Sequence, residues 1–453
     1  MTHETSPLIA ASLHPDCPDW RRLGPTTADA AVRAMADVHE IREGGREQAW
    51  SKGFTRRRLL AGGMGVGVAA VGSQLVTTRV AYAAGAATGT LVVVFLRGGM
   101  DGLSMLSPAG EAAALTAARG SVAVTSGISL DRGFVLHPAL IALKPYVDGA
   151  KLAAIPAVST PALSRSHFQA QDCLERGGFN GAGSSSGWLD RLLEVLGAGT
   201  TFRSIAGGYN APRSLLGSSS PVVLESLSEF AISGVDQSLV PATMTALRKL
   251  YTGIDHPMSR QALIALAAAD TVGQLNTTEQ TPAARGYSDD DWGHALSAIG
   301  SLIRTDSTVR VATIDLGGWD MHTQMGTQSS GDFFNMAKTL GDGLSTFLHD
   351  LGSAIDHTTV VVMSEFGRRV EKNANNGTDH GHGGVALVMG GGVSSGVKGT
   401  WETLGTLADG DIPGSNDYRD LLSEVVMKRF GLTAAQIAPV FPDWTPTAVG
   451  AMV

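Results

Sequence analysis

Ser364-Glu365-Phe366-Gly367-Arg368, followed by Gly377-Thr378-Asp379-His380-Gly381-His382-Gly383-Gly384, lies between two apolar runs at 359–363 and 385–389. Short continuous runs rich in valine read as strands buried on both faces, the kind found in parallel sheets. The glycines make the intervening segment a loop. That loop carries carboxylates and imidazoles, and α/β enzymes keep their chemistry in loops at the mouth of a buried sheet. The segment therefore predicts an α/β fold with metal-dependent hydrolase chemistry.

Working outward, 91–96 is another apolar run, ending in Arg97-Gly98-Gly99-Met100-Asp101-Gly102, and reads as a buried first strand followed by a glycine loop. Residues 138–147 have helical spacing with Pro138 near the start, and 151–158 reads as the next strand. Residues 164–176 predict a helix stopped by Gly177-Gly178, and 188–196 predicts another. Short strands are expected near 204–205 and 222–224, and helices over 240–251, 259–275 and 289–305. The segment 308–316 alternates and ends in Gly317-Gly318-Trp319-Asp320, a second strand followed by a glycine loop. A long amphipathic helix is expected over 333–351, and a terminal one over 415–430 with Ser415 or Asn416 as its cap. Strands alternating with helices predict a largely parallel sheet between helical layers.

The chain has 453 residues. Residues 1–83 read as a leader. Thr55-Arg56-Arg57-Arg58-Leu59-Leu60 precedes an uncharged run at 61–78 rich in Gly, Ala and Val, and Ala81-Tyr82-Ala83 supplies a cleavage signature. The paired arginines make this a twin-arginine export signal, read by its translocase, and the apolar run is too glycine-rich and short for a membrane span. Residues 84–453 are then a single domain, exported to the periplasm or beyond. Ten of the 34 basic and eight of the 42 acidic residues fall in the leader, so the remainder has 24 basic and 34 acidic residues, a net charge of −10. That balance excludes nucleic acid as a partner, since neutralising phosphates needs basic stripes. Outside the leader Cys173 is the only cysteine, so no intramolecular disulfide is expected.

Four loops that follow expected strands carry candidate ligands: Asp101; Ser164, Arg165, Ser166 and His167; Asp320 and His322; and Glu365, Asp379, His380 and His382. Loops at the carboxyl ends of parallel strands share one edge. Residues two apart in an extended segment face one side, so Asp320 with His322, and His380 with His382, are each placed to grip one ion. Asp379 and His380 point apart, which suits two neighbouring ions. Mixed carboxylate and imidazole ligands favour Zn²⁺, with Mn²⁺ or Ca²⁺ as alternatives and the Ca²⁺ cage the poorer fit. Ser166, or else Ser164, at a helix start near such an ion is the candidate nucleophile, and Arg165 or Arg97 the clamp on the transferred group. Other roles are open to the same residues. Asp101 between glycines suits a turn cap, Ser166 a helix cap, Glu365 and Arg368 a local ion pair, and His137 before Pro138 a structural place.

Several motifs together resemble the bacterial twin-arginine-exported family called domain of unknown function 1501. They are Phe95-Leu96-Arg97-Gly98-Gly99-Met100-Asp101-Gly102, Leu136-His137-Pro138, Arg165-Ser166-His167-Phe168, Gly317-Gly318-Trp319-Asp320-Met321-His322, Ser364-Glu365-Phe366-Gly367-Arg368 and Gly377-Thr378-Asp379-His380-Gly381. The family looks like a branch of the alkaline phosphatase and sulfatase superfamily. That resemblance implies a three-layer αβα sandwich, one or two divalent ions and an alkoxide nucleophile acting on phosphate or sulfate esters. It aligns Asp101 with the superfamily's first-strand ligand and Asp320 and His322 with its central pair. Glu365 stands where the superfamily often has Asp followed by His, with Phe366 in the histidine's place. A non-catalytic alternative, an envelope binding or assembly protein, follows from the same resemblance. Family members are commonly encoded beside another exported protein, a further expected partner.

Overall fold

The computed structural model describes residues 89–453, apart from 161–162, 179–184, 220, 228–235, 279–280, 306–307 and 405–409. The expected leader, with its arginines and cleavage signature, lies outside the described residues. Among the described residues no helix is long and apolar enough to cross a membrane.

A nine-stranded sheet forms the middle layer. Its members are β1 (Thr90–Leu96), β2 (Leu152–Ser159), β3 (Ser204–Gly207), β4 (Val222–Leu224), β5 (Val311–Leu316), β6 (Thr358–Met363), β7 (Gly384–Gly390), β8 (Gly396–Val397) and β9 (Asn416–Asp417). Their spatial order is β8-β2-β7-β6-β1-β5-β3-β4, with β9 also paired to β2. All neighbours run parallel except at β7, which is antiparallel to both β2 and β6. The central strands read as unbroken apolar runs because both faces are covered. Alternation along the strand survives as a choice of core. Val92, Val94 and Leu96 pack with Leu140, Trp292, Leu296, Phe333 and Leu344 on one face. Leu91, Val93 and Phe95 pack with Trp188, Leu192, Leu421 and Val425 on the other. Helices Asp291–Thr305 and Asp332–Asp350 thus cover one face, and Trp188–Leu196 and Tyr418–Phe430 cover the other, giving the expected three-layer αβα sandwich.

Two local expectations are corrected. The segment after His137 is a 3₁₀ turn, Pro138–Leu143, running into a short helix, Lys144–Asp148, because Leu140 leaves helical backbone geometry. The terminal helix is capped by Asp417, which accepts from the Arg419 N–H at 2.8 Å; Ser415 and Asn416 are not the cap, since the Asn416 side chain donates to the Pro156 and Thr400 carbonyls and the Ser415 hydroxyl to Glu402.

Candidate metal centre

Register sets one rim. Leu96 pairs with Leu316 and Phe95 with Met363, so the loops after β1, β5 and β6 leave the sheet at one level. The reversed β7 starts where its neighbours end. It returns the hairpin Arg368–Lys372 and Thr378–His380 to that same rim. In β2 the register against β7 slips around Ala157, whose φ is +53°. This bulge bends the strand as it reaches the rim. The chain then starts helix His167–Arg176 with His167 as its first residue, and Gly177 ends it in left-handed geometry.

Three imidazoles meet there. His167 Nε2 lies 3.1 Å from His380 Nε2, and His322 Nε2 lies 2.8 Å from His380 Nε2. Each outer nitrogen faces a group that only accepts. His167 Nδ1 is 2.8 Å from Glu365 Oε1, His322 Nδ1 is 3.2 Å from Asp379 Oδ1, and His380 Nδ1 is 2.8 Å from the Arg165 carbonyl. A carboxylate or carbonyl partner assigns the proton to Nδ1, which leaves three Nε2 lone pairs turned towards one another. Asp320 adds carboxylate oxygens 3.2 Å from His380 Nε2, 3.0 Å from His322 Nε2 and 3.5 Å from His167 Nε2. Lone pairs facing lone pairs at these distances repel unless a cation lies among them. His167, Asp320 and His380 form a mutually close three-residue group, the one such metal-type cluster among the described residues. The two Nε2 atoms are 3.1 Å apart, near the roughly 3.3 Å between ligand atoms of a tetrahedral zinc, and each has one Asp320 oxygen within 3.5 Å, Oδ1 for His380 and Oδ2 for His167. His322 adjoins two of the three. Imidazoles backed by carboxylates or carbonyls through the far nitrogen are the usual outer shell of such sites.

The charges agree. Burial works to raise the Asp320 carboxyl, but the Arg368 guanidinium, through its hydrogen bond and its charge, holds it below the usual carboxylate range, ionised at neutral pH. Burial lowers His380 and the charge of Arg368 pushes the same way, outweighing the hydrogen bond to the Arg165 carbonyl, which favours the neutral ring that can ligate. Burial acts to raise Glu365, and hydrogen bonds from Gln171, His167 and backbone outweigh it. Phe366 backs the cluster, its ring 4.9 Å from those of both His167 and His380. Gly99, at φ +62°, makes room for it: a Cβ there would come within 2.2 Å of the Phe366 ring. Beside Asp320 a cleft of about 380 Å³ opens between Gly318, Met321, Thr323, Asp332, Asn335 and Met336.

Asp320, His322 and His380 are thus brought together. Glu365 and Asp379 sit one layer out, holding imidazoles where direct ligation was expected. Asp101 is elsewhere. Its carboxylate is buried, takes Arg119 Nη1 at 2.8 and 2.9 Å and the Thr378 hydroxyl at 2.9 Å, and caps the short helix Gly102–Met105 through the Ser104 N–H. No lone pair is left for an ion, so the ligand expectation is corrected to a structural one. His382 is also absent from the cluster. The strand ends at His380, so the alternation expected to align the two fails. The His382 N–H donates to Asp411 Oδ1, and its Nε2 lies against Gly414.

The expected clamps are committed. Arg97 pairs with Glu175 and Asp315 and bonds Gln171, while Arg165 pairs with Asp411 at 2.7 Å. The guanidinium in the site is Arg368, whose partner is Asp320 at 2.6 Å and not the neighbouring Glu365. Ser164 donates to Gln169 Oε1 at 2.7 Å. Ser166 stands at the helix cap but its side chain bonds no helix N–H. His137 is structural, accepting the Ala139 N–H on Nδ1. Sequence reasoning named His167 among the candidates of its loop but gave it no part in gripping the ion. The available signal was its place as the first residue of a helix entering the ligand-bearing rim.

Residues 149–428 match a family described as protein of unknown function, DUF1501. A search of curated proteins found no match. Among solved structures, the chain is similar to the C-terminal periplasmic domain of EcEptC from Escherichia coli in complex with Zn (11% identity, TM-score 0.33, 68% of this chain and 74% of that one). It is similar to a protein in the alkaline phosphatase superfamily from Vibrio parahaemolyticus (13%, 0.30, 68% and 62%). It is also similar to a Mg-bound mutant alkaline phosphatase of the Antarctic bacterium TAB5 (9%, 0.31, 69% and 95%). Likeness at this level assigns no chemistry to this chain.

Proposed function

Since the chain belongs to the DUF1501 family, whose description carries no reaction, the site must supply one, and we propose an exported, metal-dependent hydrolase of phosphate or sulfate esters. One observation carries this reading: the Nε2 atoms of His167 and His380 and an ionised carboxylate turned towards one point, each imidazole fixed from behind. Two imidazoles and a carboxylate with an open side fit Zn²⁺ first and Mn²⁺ second. A divalent ion held there supplies Lewis-acid polarisation of a phosphoryl or sulfuryl oxygen. His167, Asp320 and His380 hold it, Glu365 fixes the tautomer of His167, and Phe366 walls the imidazoles from behind. Ser166 is the nucleophile: it precedes His167 directly and stands at the start of a ten-residue helix, whose free N–H groups favour an anionic group. The cleft beside Asp320 has room for the leaving alcohol. The arginine-led leader supports export of a folded, metal-loaded protein through the twin-arginine translocase.

Elemental analysis of the purified full chain is the first test, with bound Zn²⁺ or Mn²⁺ expected and lost in Asp320→Ala and His380→Ala. Turnover of an aryl phosphate or aryl sulfate, abolished in Ser166→Ala, is the second. A metal-free chain indifferent to both ligand substitutions would refute the reading.

A further inference from the structure

We propose that Arg368 is a built-in second cation, so that this centre takes one divalent ion and not two. The inference rests on the metal reading above and goes beyond it in number and in the role of one residue. Because Arg368 already holds Asp320 Oδ1, the oxygen assigned to an ion with His167 Nε2 and His380 Nε2 is Oδ2, 3.5 Å from His167 Nε2; the donor atoms left over are Oδ1, 3.2 Å from His380 Nε2, and His322 Nε2. Both are already covered: Arg368 Nη2 lies 2.6 Å from Asp320 Oδ1, and Nη1 lies 3.3 Å from His322 Nε2. The guanidinium is fixed in that place. Its side chain is 1% exposed. Its remaining N–H groups go to the carbonyls of Gly99 at 2.5 Å, Gly98 at 2.5 Å and Thr378 at 2.9 Å.

All five N–H donors are therefore spent on the protein, which excludes Arg368 as a clamp on substrate. Swinging it aside would strand three buried carbonyls. A guanidinium keeps its charge at any working pH, so it is a permanent positive neighbour to the ion. Phe366 adds a second, independent obstacle. It packs against His167 and His380 with carbon where another ligand would be needed. Arg368 is thus a positioning residue. It holds Asp320 ionised and oriented, and it ties the loops after β1 and β5 to the hairpin.

The test is stoichiometry. The full chain, stripped with a chelator, is titrated with Zn²⁺ by calorimetry, and with Mn²⁺ under electron paramagnetic resonance. One equivalent per chain is expected, with an uncoupled Mn²⁺ spectrum, and His322→Ala should keep that equivalent with affinity within threefold. Arg368→Gln uncovers Asp320 Oδ1 and His322 Nε2, so a second equivalent is expected there. Where that variant fails to fold, the wild-type count and His322→Ala still decide. Two equivalents in the wild type, both lost in Asp320→Asn, would overturn the proposal and leave the hydrolase reading standing. Loss of the ion in His322→Ala would also overturn it. No uptake at all would overturn both readings.

Discussion

Two aspartate–arginine pairs stand at the carboxyl ends of adjacent strands, and they have opposite fates. Asp101 and Arg119 are 3% and 1% exposed and are closed off by Thr378 and Ser104. Asp320 and Arg368 share equally short contacts, but Asp320 is 49% exposed and has imidazoles on its free side. The histidines follow suit. His137, in the sealed region, offers Nδ1 as an acceptor to backbone; His167 and His380 face acceptors with Nδ1 and turn Nε2 towards Asp320. The same residue types become scaffold or ligand according to which lone pairs the fold has already used.

The contrast is most sharply probed in the sealed pair. Arg119→Met leaves Asp101 buried and unpaired, and urea unfolding should show a loss of about 3–5 kcal/mol. Asp320→Asn should cost the metal-free protein less, since Asp320 is half exposed and the buried Arg368 keeps its carbonyl partners at Gly98, Gly99 and Thr378. Equal losses would erase the distinction.

Next in size is a pH effect. Burial pulls His137 down to about 4, against some opposition from the charge of Asp101. The folded ring is neutral between its folded value and the ordinary 6.5, while the unfolded ring is protonated there. Stability from this group is thus full above 6.5 and falls as pH drops towards 4, by roughly 3 kcal/mol across the window. Asn can still cap the Ala139 N–H, so His137→Asn should flatten that slope in chemical denaturation at stepped pH.

The open region is then tested through affinity. Glu365→Gln should weaken Zn²⁺ binding about 10- to 100-fold in competition titrations, because His167 loses its carboxylate. Asp379→Asn should do far less, since it holds His322, which Arg368 already engages. The smallest effect is expected at Ser166→Ala. Its hydroxyl caps nothing, so the change in stability should stay within about 0.5 kcal/mol, against about 1 kcal/mol for Asp417→Ala at a bonded cap.

Most of the sheet was legible because its strands are apolar runs bounded by glycine, and helices such as Trp188–Leu196 and Val240–Tyr251 follow their periodicity closely. The reversed sense of β7 was not, since a strand buried on both faces carries no mark of direction. At the site, Asp320, His322 and His380 were readable from a glycine loop after a strand. His167 was overshadowed by the serines beside it. Glu365 and Asp379 were read as ligands because composition cannot separate a carboxylate on the ion from one behind an imidazole. Asp101 misled because its neutralising partner, Arg119, lies in a helix with no signal linking the two.

The reversal of β7 also bears on the order of assembly. His380 reaches the rim only when β7 has docked between β6 and β2, a strand from far earlier in the chain. Contacts so distant in sequence close late, after the cost of the long loop has been met. An ion that binds only the finished cluster favours the native state by mass action. Uptake of the cation would then report that the last central strand is home.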